Sequence, residues 1–114
     1  MRIPSDNHLF EQVVEFVCDA EHQSYEMVMG KHRYPELVRA RKIVSSVMSE
    51  QFRWSQTRTS RQWDLDPTSV FNHLHSMTAE ESKVAEDLGN LFMEDLRERT
   101  DEAVGHEVDG SGGV

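Results

Sequence analysis

Apolar residues recur at spacings of three and four along most of the chain, and this periodicity is what most constrains the fold. Such spacing places apolar side chains along one face of an α-helix, whereas a half-buried strand needs strict alternation of apolar and polar residues. No stretch of the sequence alternates in that way. The sequence therefore predicts an all-α fold, a compact helical domain of six helices.

The clearest apolar stripes belong to the first, third and last predicted helices. They comprise Leu9, Phe10, Val13, Val14 and Val17; then Leu37, Ala40, Ile43, Val44, Val47 and Met48; and finally Val84, Leu88, Leu91, Phe92 and Leu96. A short second helix over about 24–29 is expected to end at Gly30, because glycine is common just past a helix end. A chain of 114 residues has room for one core. We therefore expect a single domain over 1–102 and a flexible tail over 103–114.

Two short helices joined by a tight turn are predicted at 57–77. The first covers 57–63, the turn covers 64–66, and Pro67 opens the second helix with Asp66 as its N-cap. Trp63 is expected to pack on the core and Leu65 to anchor the turn. This is the arrangement of a helix-turn-helix.

The outer face of the second short helix carries small polar side chains. They are Thr68, Ser69, Asn72, His73 and Ser76. Asparagine can pair with adenine, and threonine can touch a thymine methyl group, so such a face suits base edges in the major groove. An ordinary pair of packed helices with a polar outside would show the same pattern, so the pattern alone leaves both interpretations open.

The charge of −9 is unevenly distributed along the chain. Residues 1–30 carry −5 and residues 78–114 carry −8, but residues 31–77 carry +4. A basic middle between acidic flanks is compatible with a polyanionic partner, because local charge decides contact. A solvated helix face that happens to be basic is the alternative.

Two runs of residues resemble the C-terminal DNA-binding domain of the bacterial replication initiator DnaA. The run Tyr34-Pro-Glu-Leu-Val-Arg-Ala-Arg-Lys-Ile43 follows a basic loop, 31–34, and is similar to the start of that domain's long helix. The run Asp66-Pro-Thr-Ser-Val-Phe-Asn-His73 is similar to its Asp-His-Ser/Thr-Thr-Val motif. The resemblance covers roughly the first 96 positions and implies a helix-turn-helix fold of the kind shared with the Trp repressor.

The resemblance also implies roles for individual residues. Arg33 matches the arginine that the family inserts into the minor groove, with Lys31 and His32 beside it. Arg39, Arg41 and Lys42 match positions that contact backbone phosphates, and Asp66, Thr68 and Ser69 match positions in the major groove. The complete set of expected DNA-binding residues is Lys31, Arg33, Arg39, Arg41, Lys42, Arg58, Arg61, Asp66, Thr68, Ser69, Asn72 and His73.

The sequence departs from the family pattern at the second motif. Pro67 stands where the family has a base-contacting histidine, and Asp64-Leu65 stands in place of Gly-Gly-Arg. The second short helix carries no lysine or arginine, so affinity would depend on flanking cations that contact phosphates. We therefore expect modest affinity, strong salt dependence and a target that differs from the family's usual site.

Other chemistry finds little support in the sequence. The chain has no Gly-x-x-x-x-Gly-Lys-Ser/Thr phosphate loop, so neither a nucleotide nor ATP-driven assembly is expected. No spacing brings together a catalytic triad or a carboxylate pair, and Cys18 with His22 is a weak basis for a metal site. We expect a non-enzyme without a cofactor or membrane partner, located in the cytoplasm at the nucleoid.

The sequence thus predicts a protein that binds double-stranded DNA, at an origin or an operator, with a role in replication initiation or its regulation. Replication proteins are the second expected class of partner. The alternative is an acidic protein-interaction module that has kept the fold and lost DNA binding. The net charge, Asp64 and Pro67 favour this alternative, whereas the basic middle segment and Arg33 favour DNA.

Overall fold

The computed structural model describes the backbone of residues 6–112 and the side chains of residues 7–99. Within this part of the chain there are six α-helices and no strand, so the predicted all-α fold is confirmed. The helices are α1 (Asp6–Glu21), α2 (Tyr25–Met29), α3 (Pro35–Phe52), α4 (Gln56–Trp63), α5 (Pro67–His75) and α6 (Ala79–Gly112).

Helix α3 is the centre of the molecule, and each of the other five helices packs against it. Its predicted apolar stripe is buried throughout, as are Val13, Val14 and Val17 on α1. Burying these aliphatic side chains stabilises the fold by about 1.5–3 kcal/mol each. The spacing of three and four residues between apolar positions therefore identifies the faces on which these helices pack.

Two short helices, α4 and α5, form close to the predicted positions and are joined by residues 64–66, while their identity as a helix-turn-helix stays a prediction. Helix α4 ends at Asp64, whose backbone is left-handed (φ 57°), a conformation that aspartate tolerates better than most residues. Trp63 is buried, and its indole Nε1 donates a hydrogen bond of 2.9 Å to the Ser45 hydroxyl on α3. The expected anchoring by Leu65 is wrong: this side chain is 40% exposed, whereas Trp63 is buried in the core.

Helix α6 begins with the predicted capping box. The Thr78 hydroxyl accepts from the Glu81 amide at 3.0 Å, and the Glu81 carboxylate accepts from the Thr78 amide at 2.9 Å. At Gly89 the helix lies so near α3 that an added Cβ would come within 3.0 Å of Gln51 Cγ.

One expectation about α6 is corrected. Leu91 does not belong to its buried stripe but is 53% exposed, because neighbouring Phe92 takes the inward position. The helical backbone continues to Gly112, and the domain boundary expected at 102 stays a prediction. The side chains of this extension, and residues 1–5 and 113–114, lie outside the described part.

Candidate nucleic-acid interface

The Arg41 side chain points inward and binds the end of α2, next to the basic loop, instead of facing solvent. Its Nε donates to the Val28 carbonyl at 2.7 Å, and its Nη2 donates to the carbonyls of Met27 and Gly30 at 3.2 and 2.9 Å. Arg41 is buried, and its guanidinium donates to carbonyls at the end of α2, of which the Met27 carbonyl also accepts from the Gly30 amide. The structure thus gives Arg41 a structural role, in place of the phosphate contact that the resemblance implied.

The other two cations of α3 are also occupied within the chain. Arg39 forms ion pairs with Glu21 on α1 and Glu80 on α6. These hydrogen bonds, first to Glu80 and then to Glu21, raise the pKa of Arg39, and Arg39 lowers the pKa of Glu80. Lys42 lies 3.8 Å from a carboxylate oxygen of Glu81 and donates to the Ser76 carbonyl at 3.4 Å. Arg39 and Lys42 therefore connect helices.

A groove of about 530 Å³ separates the basic loop from α5. Its apolar floor consists of Met29, Val38, Trp63 and Leu65. Its polar lining includes Lys31 and Arg33 of the exposed loop, the buried Arg41 of α3, Asp64, and Ser69, Asn72 and His73 of α5. Among the described residues, α6 contributes nothing to the lining, so the terminal helix leaves the groove open.

The rim of the groove holds more positive than negative charge. Lys31 and Arg33 are exposed, and neither has an acidic partner among the described residues. Burial, and then the charge of Arg33, lowers the pKa of Arg41. An anion placed between the two guanidinium groups would offset their like charges.

The face of α5 toward the groove carries three of the predicted residues. Asn72 is exposed, while Ser69 and His73 are half-buried. The His73 Nδ1 atom is buried and has no hydrogen-bond partner among the described residues. Burial lowers the pKa of His73, with further contributions from the charges of Arg41 and Lys42. The ring is therefore mostly neutral at pH 7.

The start of α5 lies beside the groove. Thr68 is exposed there, and its amide donates to Asp66 Oδ1 at 2.9 Å. The Asp66 carboxylate is thus the N-cap of α5, which is the structural role predicted for it.

The two arginines of α4 differ in their surroundings. The Arg58 guanidinium lies over the Trp54 ring, 4.3 Å from its centroid, in a cation–π contact. Arg61, in the last turn of α4, is exposed. Of the seven predicted DNA-binding cations, Lys31, Arg33 and Arg61 are therefore available to a ligand without breaking an interaction described above.

Sequence reasoning missed the apolar side chains around this surface. Phe71 is 43% exposed and stacks on His75, with ring centroids 3.8 Å apart. Tyr34, 54% exposed, stacks on His32 at 5.8 Å. The spacing of four residues between Phe71 and His75 could have indicated the first pair. The groove floor had no such signal, because its residues come from four separate segments.

Comparisons of the chain with protein-family profiles, with curated proteins and with solved structures found no match. Among the described residues, no helix combines the length and the apolar character that crossing a lipid bilayer requires.

Proposed function

We propose that the protein binds double-stranded DNA through the basic loop and the outer face of α5. The observation that carries this proposal is that the unpaired cations of the loop and the polar residues of α5 line one open groove. In the proposed complex Arg33 enters the minor groove, while Thr68, Ser69 and Asn72 face base edges in the adjacent major groove. Lys31 and Arg61 contact phosphates.

The proposed target is an origin or operator, and the proposed role is in replication initiation or its regulation. This part rests on the resemblance of residues 34–43 and 66–73 to the DNA-binding domain of DnaA. The groove geometry supports contact with a duplex and carries no information about which sequence is bound, since phosphate contacts are sequence-independent.

A fluorescence-anisotropy titration with a labelled random-sequence duplex tests DNA binding. At about 50 mM salt we expect saturable binding that weakens strongly by about 200 mM salt. Arg33→Ala should weaken binding about tenfold and make the salt dependence shallower by about one unit of slope. Arg97→Ala is the matched control, because it removes an exposed arginine from α6, away from the groove.

Sequence preference is tested separately by selecting bound duplexes from a random pool. Thr68→Ala should broaden the selected set while leaving affinity for random duplex nearly unchanged, since a base contact contributes discrimination rather than non-specific affinity. Absence of binding at about 50 mM salt would contradict DNA binding. It would favour the alternative, an acidic protein-interaction module. The contacts that Arg39, Arg41 and Lys42 make within the chain are compatible with this alternative as well.

A further inference from the structure

The groove between the basic loop and α5 has the features of a small-molecule site. Its volume of about 530 Å³ lies within the range of pockets that hold small organic ligands. Its floor is apolar, and polar groups converge on it from the rim. A nucleic-acid backbone would use the charged rim but would leave the floor, with Met29, Val38 and Trp63, without a partner.

The charges on the rim indicate the sign of the ligand. Arg33 and Lys31 lie on one side, the Arg41 guanidinium lies beneath them, and Asp64 is the one carboxylate among the lining residues. Arg33 and Arg41 both line the groove and carry the same charge. A single negative charge held there would interact with both guanidinium groups, and the low polarity of the floor would strengthen that attraction.

Side chains of α5 supply hydrogen-bond donors on the other side of the groove. Asn72 is exposed and Ser69 is half-buried, and both line the groove. The Asn72 amide and the Ser69 hydroxyl can each donate to a carboxylate oxygen. The Nδ1 atom of His73 has almost no accessible surface and makes no contact with a ligand in the groove.

We propose that this groove binds a small organic carboxylate with an aromatic or aliphatic body. The carboxylate lies between Arg33 and Asn72, and the apolar body packs on Val38, Trp63 and Leu65. The inference rests on the groove alone and does not depend on DNA binding.

The test uses naphthalene-2-carboxylate and its neutral amide, naphthalene-2-carboxamide, as probes of equal size. Each is titrated into the full chain without DNA, and backbone signals are followed by ¹H–¹⁵N NMR. We expect the carboxylate to shift signals of Arg33, Leu65 and Asn72, and to bind at least about tenfold more tightly than the amide, because only the carboxylate can pair with guanidinium groups.

Two variants separate the roles of charge and shape. Arg33→Ala should remove most of the preference for the carboxylate over the amide and leave amide binding unchanged, whereas Ser69→Trp should fill the groove and abolish binding of both probes. Arg97→Ala should affect neither probe. Equal affinity for carboxylate and amide, or shifts scattered outside the groove, would overturn the proposal. Because no duplex is present, these outcomes are independent of the anisotropy titration.

Discussion

At the scale of single residues, the structure separates cations that face solvent from cations that hold the fold. Arg33 and Arg41 are eight residues apart in one basic segment and look equivalent in sequence. Arg33 is exposed, whereas Arg41 donates to three carbonyls at the end of α2. The difference arises because α2 ends directly against α3, where its free carbonyls need donors.

Replacement of Arg41 should therefore reduce stability. We expect Arg41→Met to lower the free energy of unfolding by about 2–3 kcal/mol, since a charged hydrogen-bond donor to buried carbonyls is lost. Arg41→Lys should recover only part of this loss, because one ammonium group cannot span the three carbonyls. Urea unfolding measures both, with Arg61→Met as an exposed control expected to stay within about 0.5 kcal/mol. Loss of similar size in Arg61→Met would argue against the proposed role.

His73 should make stability depend on pH. Its pKa in the folded protein is lowered by burial and by Arg41 and Lys42 on α3, while Arg33, Lys31 and Asp64 line the same groove. Between that lowered pKa and the unfolded value of about 6.5, the unfolded chain binds more protons, so stability rises with pH. At lower pH, where His73 is protonated in both states, this contribution is absent.

The expected result is a rise in the free energy of unfolding from about pH 5 to about pH 7 that is smaller in His73→Gln. Urea unfolding at a series of pH values measures the difference between the two proteins. His32→Gln leaves His73 in place and should keep the rise that His73 causes. Identical pH profiles for the wild type and His73→Gln would show that His73 is not desolvated.

At the scale of elements, the α4–turn–α5 unit follows local rules that can be read from the sequence. Asp64 ends α4 in a left-handed conformation, and Asp66 with Pro67 begins α5. The turn aspartates therefore have conformational roles, independent of any ligand. Leu65 lies between them and remains exposed, since the buried indole of Trp63 supplies the tertiary contact.

Two substitutions of Asp66 should distinguish its role as the N-cap of α5 from the effect of its negative charge. Asp66→Ala removes the side-chain acceptor of the Thr68 amide and should lower the free energy of unfolding by about 1 kcal/mol. Asp66→Asn keeps the acceptor and should change stability by only a few tenths of a kcal/mol. If the protein binds DNA as proposed, Asp66→Asn should also bind random duplex more tightly, because a negative charge near the phosphates is removed. Weaker binding by Asp66→Asn would instead indicate a base contact.

At the scale of the whole molecule, α3 lies at the centre of the core and also carries cations that contact the surrounding helices. Its inner face is buried among the other helices, and its cations connect α1, α2, α5 and α6 through Arg39, Arg41 and Lys42. The positive charge of the middle segment is consequently less available to a ligand than its sequence total suggests. What remains is concentrated at the basic loop and α4.

The salt dependence of DNA binding should reflect this loss of available charge. If all seven predicted cations contacted phosphates, log Kobs would fall with log salt with a slope of about −6. Arg39, Arg41 and Lys42 are occupied within the chain. If Arg58 can leave Trp54, at most four cations remain for phosphate contacts, namely Lys31, Arg33, Arg58 and Arg61. The slope should then be about −4 or shallower. Anisotropy titrations across a salt series measure it. A slope near −6 would mean that the ion pairs of α3 open on binding.

The sequence by itself determined the helices, their buried faces, the α5 cap and the capping box of α6, because these depend on neighbours three or four positions away. It also identified Lys31, Arg33 and the polar face of α5 as candidate residues. Only the tertiary structure decided that Arg39, Arg41 and Lys42 are engaged, that Leu65 and Leu91 are exposed, and that the loop and α5 line one groove. Those outcomes depend on which distant carboxylates, carbonyls and rings each side chain meets, and local spacing carries no information about such partners.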